Sequence, residues 1–116
     1  MNINLFGIKT CDKVRSATKW LIANKINYHF IDLKSRKLKD AEINIWLKKI
    51  SWEKIINKNS STWRALTDDE KLKIVDCKSA KNLIIKQPLV MKRPIIEFGQ
   101  QLIVGFSEKN FEDTFR

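Results

Sequence analysis

The spacing of hydrophobic residues changes along the chain, and this change constrains the fold more than any other feature of the sequence. Residues 2–6 alternate polar and apolar side chains, as a strand does, whereas a helical spacing of three and four begins at Cys11 or Asp12 and ends at Asn24. Residues 28–32 return to a strand pattern. A strand, a helix of about ten residues or more and a second strand form a βαβ unit, so we predict that the two strands are parallel.

The middle of the chain is predicted to be helical. Apolar side chains at helical spacing predict a helix over residues 39–49 and a short one near Trp52. A polar loop is expected at residues 57–61. Thr67, followed by Glu70, has the spacing of a capping box that starts another helix. A further helix is expected from about Ser79 to Lys86.

The last third of the chain returns to strands. Leu89–Met91 and then Pro94–Phe98 are predicted as a strand entered through a proline, and residues 102–104 as its antiparallel partner after a turn. Ser107 is predicted to cap a final helix, with Phe106 and Phe111 forming a hydrophobic staple. The predicted order is therefore β-α-β, a block of helices, and then β-β-α.

Length and composition fit one folded domain. The chain has 116 residues, of which 43% are hydrophobic and 31% are charged, a balance that argues against a disordered chain. No apolar run approaches the roughly 18 residues of a membrane span, and the amino terminus lacks a signal-peptide pattern. Two cysteines, Cys11 and Cys77, form neither a disulfide framework nor a zinc site. We therefore expect a cytoplasmic protein with no membrane and no metal.

The chain carries 23 Lys and Arg against 13 Asp and Glu, a formal net charge of +10. Such an excess suits an acidic partner, whether a nucleic acid, an anionic surface or a small anion. The lysines are spread along the chain without a basic tail, which equally fits a solvated surface. Trp46, Trp52 and Trp63 alternate with lysines and would suit base stacking, but the helical spacing of the first two favours a core. We do not expect nucleic acid as a partner.

Cys11 is the strongest candidate for chemistry. It lies at the predicted start of the first helix, where unpaired N–H groups and the helix dipole stabilise an anion such as a thiolate. Lys9, Lys13 and Arg15 add positive potential. Its polar neighbour Thr10 argues against a buried, inert thiol.

Two further features are less specific. Arg93, directly before Pro94, offers planar donors suited to an oxyanion or a carboxylate, and a surface arginine paired with a glutamate is the alternative. Cys77 is expected between two helices without an activating pattern, so a packing or incidental role is favoured. A disulfide with Cys11 stays open if the fold brings the two together. Val14 occupies the position that a Cys-x-x-Cys pair would need.

Three segments taken together resemble the arsenate reductase (ArsC)-like family, which includes Spx regulators and YffB-type proteins. They are Gly7–Arg15, Thr62–Leu66 and Gln87–Ile96, and the similarity covers essentially the whole chain and is closest to the YffB-type subgroup. The resemblance implies an α/β, thioredoxin-like fold, β-α-β then β-β-α. A helical insertion at about 38–87 would separate the two halves of a single domain, 1–116.

The resemblance also implies roles for individual residues. Arsenate reductases of this family attack the oxyanion with one cysteine, which Cys11 matches, while three arginines hold it. Arg93, before the family's proline at Pro94, matches one of these arginines, and Arg15 matches an arginine soon after the cysteine. Glutathione and glutaredoxin then reduce the product.

The sequence departs from the family pattern at several positions. The other two oxyanion arginines fall near Asn57 and Gly105, and Lys58 or Arg64 is a partial substitute for the first. The family's histidine upstream of the cysteine is replaced by Gly7. Losing two charge-assisted pairs, each worth roughly 1.5–3 kcal/mol, would leave a tetrahedral oxyanion weakly held.

We therefore expect an oxidoreductase that acts on thiols, uses glutathione as co-substrate and has no bound cofactor. The Cys11 thiolate would attack a disulfide or an oxidised thiol, and Arg93, helped by Arg15 or Lys9, would bind a glutathione carboxylate. One alternative is arsenate reduction with glutathione and glutaredoxin. Another is an Spx-like regulator that binds RNA polymerase. For each of these functions we expect a monomer.

Overall fold

The computed structural model describes residues 2–116, which form two compact units. The first unit contains the described residues up to Arg36 together with Arg93–Arg116, and the second is Lys37–Lys92. The predicted insertion at about 38–87 falls within the second unit. That 1–116 forms a single domain, including Met1 outside the described residues, stays a prediction.

The first unit is built on a four-stranded sheet with the strand order β2-β1-β3-β4. Its strands are β1 (Ile3–Gly7), β2 (His29–Asp32), β3 (Ile95–Phe98) and β4 (Gln101–Val104). β1 and β2 pair in parallel, which confirms the prediction from the βαβ pattern. The other two pairs are antiparallel, including the predicted hairpin between β3 and β4.

Two helices, α1 (Asp12–Ala23) and α7 (Glu108–Phe115), contribute to a core with one face of this sheet. The core combines strand residues such as Leu5 and Ile96 with helix residues such as Val14 and Leu21. Ser107 caps α7 by accepting a hydrogen bond from the Asn110 N–H. The predicted staple is present, since the rings of Phe106 and Phe111 lie 4.7 Å apart, and this contact fixes the start of α7.

The second unit is helical. Its elements are α2 (Asp40–Lys49), α3 (Trp52–Ile55), α4 (Ser61–Arg64), α5 (Asp68–Leu72), α6 (Cys77–Lys86) and a 3₁₀ helix (Pro88–Val90). The largest fully buried side chains of this unit are Trp46, Ile43, Ile55, Ile84 and Met91. Trp63 is also buried, which favours a core role over base stacking for Trp46 and Trp63. No helix among residues 2–116 is long and apolar enough to cross a membrane.

Three details of the second unit differ from the sequence predictions. The helix predicted from about Ser79 begins at Cys77, because the Asp76 carboxylate accepts the Ser79 N–H at 2.8 Å and starts the helix two residues earlier. The predicted loop at residues 57–61 ends one residue sooner, because Ser60 caps α4. Leu89–Met91 was wrongly predicted as a strand, since Pro88 starts a 3₁₀ turn that suits its fixed φ angle.

Candidate functional site

The candidate site lies at one edge of the four-stranded sheet. β1 and β2 both end there, with Gly7 opposite Asp32. β3 begins at this edge and β4 ends at it, since Ile95 pairs with Phe6 on one side and with Val104 on the other. The register therefore brings four connections to this edge: the turn after β1, the segment after β2, the segment before β3 and the segment after β4.

Cys11 ends the turn after β1 and is the N-cap of α1. Its carbonyl accepts the Arg15 N–H at 2.9 Å, and its own N–H donates to the Ile8 carbonyl at 3.2 Å. Among residues 2–116, the side chain of Cys11 makes no capping hydrogen bond to the first turn of α1. The thiol is half-buried against the core of the first unit. The start of a 12-residue helix is therefore free to stabilise a sulfur anion or a bound anion.

Arg93 and Pro94 form the segment before β3. The peptide bond between them is cis, and Pro94 is buried, with its carbonyl accepting the Gly105 N–H at 2.8 Å. Arg93 is half-buried, and in the part of the chain that the structure describes its guanidinium has no acidic partner. This excludes the glutamate-paired alternative within residues 2–116. A partly desolvated guanidinium without a carboxylate is suited to an external anion.

The basic residues around Cys11 are not equivalent. Lys9 and Thr10 are exposed in the turn that leads to the cysteine. Arg15 instead forms a hydrogen-bonded ion pair with Asp12, three residues earlier on α1. This pair offsets the positive potential that the sequence predicted from Arg15.

Two glycines shape the same edge of the sheet. A side chain at Gly7 would place its Cβ 2.7 Å from Cγ2 of Val14, so the end of β1 approaches α1 too closely for any larger residue. Gly105 has a φ angle of +82°, a conformation that L side chains rarely adopt, although the space around it is open. An arginine at position 105 would therefore be strained by its backbone.

The remaining candidates lie in the second unit, and their roles stay predictions. Arg64 is the exposed last residue of α4. Asn57 is a turn residue whose side-chain oxygen accepts the Asn59 N–H at 3.0 Å. Lys58 has its Nζ 5.5 Å from the centre of the Trp63 ring, which engages its charge in a cation–π contact.

The sequence reasoning missed the position of Cys77. This exposed thiol is the first residue of α6 and directly follows the capping Asp76. Hydrogen bonds from the backbone N–H and the hydroxyl of Ser79 lower the pKa of the Asp76 carboxyl. The spacing of Asp76 and Ser79 was the available signal, because aspartate is a preferred N-cap and serine at the third helical position can close a capping box.

The fold and this edge of the sheet define a thioredoxin-like protein with a cysteine at the start of its first helix and a cis-proline before its third strand. The sequence profile of the ArsC family matches residues 6–114, and the chain therefore belongs to the ArsC family.

Known relatives support this membership. A solved YFFB protein is 30% identical, with coverage of 99% of this chain and 100% of that one and a TM-score of 0.94. The solved arsenate reductase (ArsC) related protein of Brucella melitensis is 35% identical, with coverage of 100% and 96% and a TM-score of 0.77. The global transcriptional regulator Spx of Streptococcus pyogenes is 28% identical, with coverage of 91% of this chain and 79% of Spx.

Proposed function

We propose that this protein is a glutathione-dependent thiol reductase in which Cys11 is the nucleophile. The observation that carries the proposal is the shared sheet edge. There an uncapped helix start holds Cys11, and a half-buried Arg93, which has no acidic partner among residues 2–116, precedes Pro94. The helix start favours the thiolate, which is the reactive form of cysteine. Arg93 supplies a fork of donors that matches a glutathione carboxylate.

The reaction consists of two thiol–disulfide exchanges. The Cys11 thiolate attacks the glutathione sulfur of a mixed disulfide, a new disulfide forms between Cys11 and glutathione, and the substrate leaves as a thiolate. A second glutathione thiolate then attacks this adduct, releases glutathione disulfide and restores the Cys11 thiolate. One reduced glutathione is consumed in each cycle, and the glutathionyl group of the substrate leaves as the other half of glutathione disulfide, so the exchange needs no further reductant. Val14 stands where an internal resolving cysteine would, so an external thiol, glutathione itself or a glutaredoxin, completes the cycle.

Mass spectrometry of the intact protein after incubation with oxidised glutathione tests this proposal. We expect one glutathione adduct on the wild type and on the Cys77→Ser variant, and none at position 11 of the Cys11→Ser variant. Reduced glutathione should remove the adduct. An adduct that forms only at Cys77 would contradict the assignment of Cys11.

A second candidate function is regulation of transcription by contact with RNA polymerase, as in Spx-like proteins. Its support is the 28% identity to Spx over 79% of that protein. A pull-down with purified RNA polymerase separates the two functions. The regulator function predicts retention that survives in the Cys11→Ser variant, whereas the reductase function predicts loss of the glutathione adduct in that variant and no retention.

A further inference from the structure

The second unit carries a groove of about 330 Å³ between α5, the connection that follows it, and α6. We call it the α5–α6 groove. Its apolar lining comes from Leu66, Ile74 and Leu83, and the charged side chains along it are Glu70, Lys73 and Lys86. None of these residues belongs to the sheet edge that holds Cys11, so the groove is a feature separate from the proposed thiol chemistry.

Exposed hydrophobic side chains flank the groove. Leu72 and Val75, the sequence neighbours of Lys73 and Ile74, are 74% and 69% exposed. Only four large hydrophobic side chains in residues 2–116 are exposed, and these two are the most exposed of them. Single exposed hydrophobic side chains are common on protein surfaces, but two such side chains beside an apolar groove indicate a surface for binding another protein.

The charges around the groove favour an acidic partner. The Glu70 carboxylate accepts the Thr67 N–H at 2.8 Å and is engaged in the capping box of α5. Hydrogen bonds from the backbone and hydroxyl of Thr67, and then the charges of Lys73 and Lys86, lower the pKa of Glu70. Within residues 2–116, neither lysine forms an ion pair of its own. The charged side chains that line the groove are therefore two lysines without an ion pair in that range and one glutamate whose carboxylate is engaged in a helix cap, which leaves an excess of one positive charge along the lining.

We propose that the α5–α6 groove binds an acidic amphipathic helix of a partner protein. Apolar side chains spaced three and four residues apart on such a helix would pack on Leu66, Ile74 and Leu83, and its carboxylates would face Lys73 and Lys86. A second copy of this chain is disfavoured as the occupant, because it would bring the same positive rim and a net charge of +10.

Fluorescence anisotropy with synthetic peptides tests the proposal on the full chain. The probe is a labelled helical peptide of about four turns with leucines along one face and glutamates beside them. A scrambled peptide of the same composition and a peptide with lysines in place of the glutamates are the peptide controls. We expect saturable binding of the first peptide alone, and weaker binding as salt rises.

Paired variants locate the binding surface. Lys73→Glu with Lys86→Glu, and separately Leu72→Ser with Val75→Ser, should each weaken binding at least about tenfold, because the rim charge or the flanking apolar contact is lost. The matched control is Lys19→Glu with Ile22→Ser on α1, which makes comparable changes at exposed positions and should leave affinity unchanged. Of the substituted side chains, only Lys73 and Lys86 line the groove. The midpoint of unfolding is measured for every variant, and an unchanged midpoint would show that the variant is folded.

Three outcomes would overturn the proposal. The first is equal binding of the scrambled peptide, or no saturable binding at all. The second is the same loss of affinity in the α1 control variant, which would show a general effect of charge. The third is displacement of the peptide by a single-stranded RNA that binds more tightly and needs the same lysines, which would make the groove a nucleic-acid site instead.

Discussion

Cys11 and Cys77 both lie at the start of a helix, but only the helix that begins at Cys77 is capped by a side chain. The first turn of α1 receives no capping bond from the side chain of Cys11. The first turn of α6 is already capped by the Asp76 carboxylate, whose negative charge stands next to Cys77. We therefore expect Cys11 to be the more reactive of the two thiols, although Cys77 is the more exposed.

Alkylation rates test this contrast between the two thiols. At neutral pH we expect iodoacetamide to modify Cys11 about 2- to 5-fold faster than Cys77, since an uncapped helix start is worth roughly 0.3–1 kcal/mol to an anion. Mass spectrometry of peptides from a time course gives both rates in one sample. The single variants Cys11→Ser and Cys77→Ser are the controls. Faster modification of Cys77 would show that exposure outweighs the helix start.

Arg93 is the second residue whose role can be measured directly. Arg93→Ala should slow adduct formation with oxidised glutathione about 10- to 150-fold, because one charge-assisted pair worth roughly 1.5–3 kcal/mol is lost. Arg93→Lys should restore only part of the rate, since an ammonium keeps the charge but not the planar fork. Folding should change little, because Arg93 has no partner of its own in residues 2–116.

Arg116→Ala is the matched control for Arg93→Ala. Arg116 pairs with Glu112 and contacts Asn24 after the end of α1, about 18 Å along the helix axis from Cys11. Its removal should leave the adduct rate unchanged. Equal rates in wild type and Arg93→Ala would remove Arg93 from the site.

β1 approaches α1 closely at Gly7, near the candidate site. Gly7→Ala would bring a methyl group within 2.7 Å of Cγ2 of Val14, which is itself almost fully buried. We expect the free energy of unfolding to fall by about 1–3 kcal/mol, the usual cost of overpacking. Urea denaturation provides the measurement.

A double variant shows whether the loss of stability in Gly7→Ala comes from the contact between position 7 and Val14. Val14→Ala removes the methyl groups that Gly7→Ala would meet, so the double variant should lose less stability than the sum of the two single changes. Additive losses would mean that Gly7 matters for another reason, such as the backbone conformation at the end of the strand.

Most of the helices and strands that were predicted correctly follow from local sequence patterns, namely hydrophobic spacing and helix-capping residues. The helix starts at Thr67 and Ser107 were predictable because a capping residue and its partner lie within four positions of each other. α4 was missed because four residues carry too little periodicity to be recognised, and its stability comes from the Ser60 cap and from burial of Trp63.

The candidate site was predictable only in part. Cys11 could be found because its helix start follows directly from the change in hydrophobic period. The sequence did not show that Arg93 lacks an acidic partner, because its surroundings depend on the pairing of β1 with β3. The Arg15–Asp12 pair follows from a spacing of three on a helix, which is the local signal that would have predicted it.

At the scale of the whole molecule, the resemblance implies that arsenate chemistry needs three arginines, of which this sequence matches one with Arg93. The resemblance places two oxyanion arginines of the family near Asn57, which belongs to a turn of the second unit, and near Gly105, which follows β4, and these positions stay a prediction. Neither residue has a guanidinium. The surplus of positive charge over the chain does not replace them, because an oxyanion is held by donors at hydrogen-bond distance.

We therefore predict that glutaredoxin-coupled turnover of arsenate is very weak. The measurement is NADPH consumption with and without arsenate in a system of glutathione, glutathione reductase and glutaredoxin. Cys11→Ser supplies the background rate. A strong arsenate-dependent rate that disappears in Cys11→Ser would restore arsenate reduction as the function.

Gly105 has a consequence for how this lineage can evolve. Because the space around position 105 is open and only its backbone is unusual, an arginine there would meet no neighbour but would cost about 1–2 kcal/mol of backbone strain. The backbone strain would be present as soon as an arginine occupied position 105, whereas tighter binding of an oxyanion would also require an arginine near Asn57. Asparagine tolerates the left-handed conformation better than most residues, so it could replace Gly105 at a smaller loss of stability, although it supplies no guanidinium.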